Sequence, residues 1–379
     1  MSSTRNAAIQ TGTDPTPTPT PTPTPVPGPG TFSARERWTL VAASVWLIVG
    51  LQLDAFAHAT IPDLESFWTP WHAVMYSGIA ACGLTLLWLL RSRLPAVVTY
   101  RSLLRETPQA LRLPVIGMGS LLVGGGIDTL WHNLFGIEKG LEIFFSPSHY
   151  FIIAGMVLVA AGPVLMLAAS TPPSVRRVRG ADAVMTVVSA GLASIPLHIY
   201  SNHATALEEP MLGTGAVEPD TFSLDALMMH GYVGSTVLLL VPLVVLARRW
   251  ELPAGAPTAL VAIPTLAMGV ALGQLEAPWL PVTVVVAAAV VELLARATAP
   301  LAARLAPDAR WALLGFAAPA LVWGAVLAVG AVLGGGVSWN LHMTTGVVVM
   351  TGIAGAVTAF AVRRITAAPA VPGPAPAAP

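Results

Sequence analysis

Ten apolar stretches dominate the chain, each close to the about 20 residues that a helix needs to cross the hydrocarbon layer of a bilayer. They cover roughly 38–58, 71–90, 113–132, 148–169, 182–201, 227–247, 257–275, 279–296, 311–332 and 339–362, with Pro264, Pro278 and Pro281 interrupting the seventh and eighth. A segment in lipid must satisfy its own backbone hydrogen bonds, so helix is the expected state throughout. Only 10% of the 379 residues are charged, against about 25% in an ordinary soluble domain. That balance excludes a conventional cytosolic enzyme. Nineteen Lys and Arg match nineteen Asp and Glu, leaving no basic excess to hold nucleic acid. One cysteine, Cys82, excludes disulfide frameworks, iron–sulfur clusters and Cys-based zinc sites.

The expected fold is therefore all-α and integral to the membrane, with a polytopic domain over residues 33–366. Residues 1–32 form a Pro/Thr-rich tail whose run Pro15–Pro29 favours extended polyproline II. No apolar stretch follows the first few residues, so no signal peptide is expected. Residues 367–379 form an Ala/Pro-rich tail. The arginines set the orientation. Arg35 and Arg37, Arg91 to Arg112, Arg176 to Arg179, Arg248 and Arg249, Arg296 to Arg310, and Arg363 with Arg364 all fall in alternate loops or at the termini. The positive-inside rule makes that face cytoplasmic. Both termini then lie inside, and the chain reads as five outward-pointing helical hairpins in the cell membrane.

All eight histidines, His58, His72, His132, His149, His198, His203, His230 and His342, map to the other, outer face. Many acids join them, among them Asp54, Glu65, Asp128, Glu138, Glu142 and Asp225. The first two hairpins repeat a pattern. The first reads Asp54-Ala-Phe-Ala-His58, then Glu65-Ser-Phe-Trp-Thr-Pro-Trp-His72; the second reads Asp128-Thr-Leu-Trp-His132, then Glu142-Ile-Phe-Phe-Ser-Pro-Ser-His149. Residues four apart share a helix face, so Asp54 points with His58 and Asp128 with His132. Thr-Pro or Ser-Pro starts the returning helix, hydroxyl at the cap and proline at the first position. That start places His72 or His149 in the first turn, level with the Asp/His pair. Each hairpin thus converges one carboxylate and two imidazoles, a ligand set for a divalent transition metal.

A lone histidine near a helix end serves equally as an interfacial hydrogen-bonding residue; type, spacing, face and repetition together favour the metal. Glu65 and Glu142 read as further ligands, as groups orienting a histidine, or as helix caps. The third hairpin is a looser copy and a candidate further polar or metal site: His198 and Asn202 share a face, His203 follows, and His230 lies near the start of the return helix. The triple glycine Gly124 to Gly126 suggests close helix packing rather than a nucleotide loop.

The second hairpin, Asp128-Thr-Leu-Trp131-His132 followed by Phe145-Ser146-Pro147-Ser148-His149, resembles the C subunit of the copper membrane monooxygenases, which oxidise methane, other hydrocarbons or ammonia. The resemblance covers about 22 residues closely. It implies Asp128, His132 and His149 as copper ligands, and Asp54, His58 and His72 by a less complete match in which Ala57 and Trp71 depart from the pattern. It also implies dioxygen activation at the outer leaflet on a small apolar substrate, with other monooxygenase-like subunits or a further copy of the chain as partners. Zinc is the alternative metal. Two other readings stand beside this one: a membrane haem or quinone redox protein with outer histidines as axial ligands, and a metal transporter or permease.

Overall fold

The structure is a computed structural model that describes residues 30–61, 69–94, 98–136, 138, 142–207, 211–213, 222–271 and 277–365. Most of both expected tails, and Glu65, lie outside the described residues. The described elements are helical. In order they are α1 (Ala34–Thr60), α2 (Pro70–Arg91), α3 (Tyr100–Glu106), α4 (Gln109–Phe135), α5 (Glu142–Phe145), α6 (Pro147–Ala160), α7 (Gly162–Ser170), α8 (Gly180–Tyr200), a 3-10 turn (Asn202–Ala204), α9 (Phe222–Arg249), α10 (Ala256–Ala271), α11 (Trp279–Ala297), α12 (Ala299–Ala302), α13 (Pro307–Leu333) and α14 (Leu341–Ile365).

Nine spans among the described residues are long and apolar enough to cross a membrane, α6 and α7 together forming one of them. The protein is a multi-pass membrane protein. The expected seventh span is the exception: α10 has 16 residues, and 272–276 lie outside the described residues. Pro281 does not interrupt the eighth span, because it sits in the first turn of α11, where its missing N–H has no intrahelical partner to lose.

Local sequence explains the helix entries. Ser33 caps α1 in a reciprocal capping box with Glu36. Thr69 caps α2, accepting the His72 backbone N–H at 3.1 Å, with Pro70 in the first turn. Ser146 occupies the equivalent cap position of α6 with Pro147 following, but its hydroxyl makes no cap bond. It turns instead to Ser148, 2.9 Å away. The expectation of a hydroxyl cap holds at the first hairpin and fails at the second, where a buried polar chain competes for the same oxygen.

α1 packs on α2, α4 on α6 and α13 on α14. The expected pairing of the fifth and sixth spans is weaker: α8 lies chiefly on α10 and α6, and α9 on α14. The reason is position, for α8 is the most buried of the nine spans and has neighbours on most sides. Glycines bring the first pairs close. A Cβ at Gly78 would lie 2.5 Å from the Leu47 Cα, and one at Gly155 2.6 Å from the Gly117 carbonyl oxygen. Gly124 likewise faces Phe151 and Ile152, so part of the glycine triplet does serve helix packing.

Arginines tie together the end of α1 and α2 remote from their histidines. Glu36 pairs with Arg93 at 2.7 Å, and Arg37 with Asp182 at 2.8 Å while also donating to the Phe32 carbonyl. Elsewhere Arg177 meets Glu251, Arg296 meets Glu292, and Arg363 and Arg364 both meet Asp308. From Arg37 to Asp54 is about 26 Å along the helix. Asp54 and His58 thus occupy the opposite end of this helix from Arg35 and Arg37.

Candidate metal centre

The last turns of α1 and α4 each present an acid and an imidazole one turn apart, and the first turns of α2 and α6 each return a second imidazole. Two groups of three result: Asp54 with His58 and His72, and Asp128 with His132 and His149. Within each, one ligand atom per residue lies within 4.8 Å of the others. Ligand atoms held at about 2.1 Å from one tetrahedral ion are about 3.4 Å apart, which sets the comparison.

In the second group, Asp128 Oδ1 lies 3.5 Å from His132 Nε2 and 3.3 Å from His149 Nε2. Asp128 is buried, and the Ser148 hydroxyl donates to it at 2.8 Å. The far nitrogens of both rings are held as well. His132 Nδ1 lies 3.2 Å from the Gly136 carbonyl and 3.2 Å from Glu138 Oε2, and His149 Nδ1 lies 2.6 Å from the Ile143 carbonyl. A carbonyl can only accept, so Nδ1 donates on both rings, and Nε2 is the atom left facing the acid, where a metal would bind.

In the first group the geometry is looser. Asp54 Oδ1 lies 3.3 Å from His72 Nδ1, and Oδ2 lies 3.9 Å from His58 Nε2. Thr69 Oγ1 contacts that same His72 nitrogen at 3.0 Å. Asp54 is buried, and its Oδ1 accepts no hydrogen bond.

Both groups line one cavity of about 560 Å³, within the about 300–1,000 Å³ range of small-molecule sites. Apolar side chains from several helices, including Leu51, Met75, Ile152 and Ile199, make up much of its wall, with Phe144 and Tyr200 beside them. The Tyr200 hydroxyl donates to the Phe144 carbonyl and fixes that side. Glu138 is a lining residue, while no Lys or Arg is one among the described residues. Tyr76 sits between the groups: its ring stacks on His72 at 6.4 Å and lies against Gly125 of α4.

The remaining site expectations divide. Asn202 lines the cavity and His203 stacks on Phe144 at 4.9 Å. His198 is fully buried with neither ring nitrogen hydrogen-bonded, yet it is not a lining residue. His230 is exposed and its Nδ1 lies 2.6 Å from the Ala226 carbonyl of its own helix. Glu142 is exposed in α5. No group of three possible ligands forms around these residues among those described. Conversely, Ser148, Tyr76 and the pairing of Glu138 with His132 were not singled out from the sequence. Ser148 had a signal, since it stands in Ser-Pro-Ser-His where the first hairpin carries Trp71; Tyr76 had none.

No family model matches the chain, and no curated protein or solved structure matches it either.

Proposed function

We propose that this protein is a membrane metal-binding protein in which each Asp/His/His trio takes one divalent transition ion at the wall of a shared apolar cavity. The observation that carries this reading is the geometry of Asp128, His132 and His149, whose 3.3 and 3.5 Å separations match tetrahedral edges. A set of nitrogen and carboxylate donors without thiolate suits zinc, copper, iron or nickel. Copper is favoured by the likeness of the second hairpin to the C subunit of the membrane monooxygenases. When bound, copper would supply the one-electron chemistry that dioxygen activation requires. The chain's own contribution is to orient the imidazoles, exclude water with the apolar wall and accommodate a small apolar substrate beside the ions. Partner subunits would supply electrons or complete the site. A porphyrin between the imidazoles of either trio would have to displace the carboxylate that both contact, which disfavours haem ligation there.

Purified protein loaded with copper should retain metal that an Asp54→Ala/Asp128→Ala variant does not. Equal and near-zero copper and zinc in both preparations, measured by mass spectrometry, would remove the reading.

The proposed orientation is five outward-pointing hairpins, the first two related by duplication, with both termini cytoplasmic and the trios on the outer side. Cys82 is fully buried, so single reporters can be added without removing it. A Ser338→Cys variant should react with an impermeant maleimide on intact cells, and an Arg304→Cys variant only after permeabilisation. The reverse pattern would invert the topology.

A further inference from the structure

We infer that the two trios are unequal metal sites: Asp128, His132 and His149 form a tight, pre-oriented site, and Asp54, His58 and His72 form a weaker, exchangeable one. The inference rests on the metal-binding reading above and asks what the differences between the repeats do to it.

Three observations point the same way. Asp128 Oδ1 accepts a hydrogen bond from Ser148, whereas Asp54 Oδ1 accepts none. The cause is one position in the repeat. Ser148 precedes His149 and carries a donor of the right length, while Trp71 precedes His72 and offers only an indole. A held carboxylate presents its remaining lone pairs in one place; an unheld one must give up rotational freedom when an ion arrives.

The rings differ in the same sense. Both imidazoles of the Asp128 trio anchor Nδ1, one between Glu138 and the Gly136 carbonyl and the other on the Ile143 carbonyl, which leaves Nε2 aimed inward. In the first trio the His72 nitrogen facing the acid is shared with the Thr69 hydroxyl, so an ion binding there must displace that contact. His58 stands 3.9 Å from its acid, the longest separation of the four.

Burial completes the contrast. The Asp128 side chain is 3% exposed and that of Asp54 12%, and His58 is the most exposed imidazole of the two trios, at 30%. Water therefore reaches the first site more easily, and exchange with solvent is faster there. Glu138 emerges as a positioning residue. It belongs to neither trio, yet its buried carboxylate lies 3.2 Å from His132 Nδ1 and pairs with that ring electrostatically. Loss of such an outer partner typically weakens metal affinity by about 10–100-fold.

The test is a zinc titration of the full chain, purified in detergent and stripped of metal, against a chromophoric competitor. Zinc is the probe because it has no redox chemistry to complicate the readout. Two classes of site should appear in the wild type, at least about tenfold apart. Asp54→Ala should remove only the weak class. Glu138→Gln, which keeps the shape, should weaken the tight class by about 10–100-fold and leave the other unchanged. Two equal classes, or a tight class that ignores Glu138→Gln but vanishes with Asp54→Ala, would overturn the inference while leaving metal binding intact. No zinc bound by the wild type beyond that of the Asp54→Ala/Asp128→Ala variant would instead overturn metal binding itself, and the inference with it.

Discussion

Replacing Gly155 with leucine is expected to wedge α4 and α6 apart and to disperse the Asp128 trio that could hold a metal. A Cβ there already falls 2.6 Å from both the Gly117 carbonyl oxygen and the Leu121 Cγ, and a carbonyl cannot turn aside as a flexible side chain can. Overpacking of a close contact costs about 1–3 kcal/mol, and a backbone wall puts this case at the upper end. A fall of about 3–4 °C in thermal midpoint follows for a protein of this size. The ligands of the second trio are divided between these two helices, Asp128 and His132 on α4 and His149 on α6. A small separation therefore disperses them. Gly126→Ala is the matched control, since nothing lies within 4 Å of a Cβ at Gly126. If both variants keep the wild-type midpoint in detergent, the close approach of α4 and α6 is wrong.

Asp128→Asn should have the second large effect, and its sign depends on the metal. With an ion present, the change removes the only anionic ligand of the tighter trio. Affinity there should fall at least about 100-fold, the upper end of the loss seen for a mere outer-shell partner. A ligand that binds only the folded state stabilises it by about 2.7 kcal/mol at one hundred times its dissociation constant. The wild type should therefore gain thermal stability on adding zinc, and the variant should lose the larger part of that gain. Without metal, the asparagine should be tolerated, because it keeps the shape of the side chain and its amide oxygen can still accept from Ser148. A variant that unfolds without metal would show Asp128 to be a structural anchor instead of a ligand.

Much of this was legible in the sequence. Lipid permits little but helix, so apolar runs located the spans, and the repeated Asp-x3-His with a returning Pro-x-His located both trios. The i, i+4 relation is intrinsic to a helix, which is why Asp54 with His58 and Asp128 with His132 were accessible without any tertiary information. The third hairpin was less accessible. His198 and Asn202 do lie a turn apart in sequence, but α8 is surrounded by neighbours and its polar groups end up distributed between the interior and the cavity. Tyr76 could not have been found, because it belongs to α2 and meets Gly125 of α4 only through helix packing. The role of Glu138 was hidden for another reason: a loop of variable length leaves no periodicity from which to read the direction of a side chain.

The segregation of charge has a kinetic consequence. Arg37 and Arg93 are bound to acids at one end of the α1–α2 pair, while Asp54, Asp128 and Glu138 line the cavity with imidazoles as the only potentially cationic groups among its described lining residues. Those carboxylates are too far from the arginines for their fields to cancel, and the low-dielectric wall around the cavity focuses what remains. A solution of mixed ions would thus be enriched in cations near the cavity before any coordinate bond forms. Capture should therefore be quickest in dilute salt and slow as added electrolyte screens that attraction, whatever the final affinity of either trio.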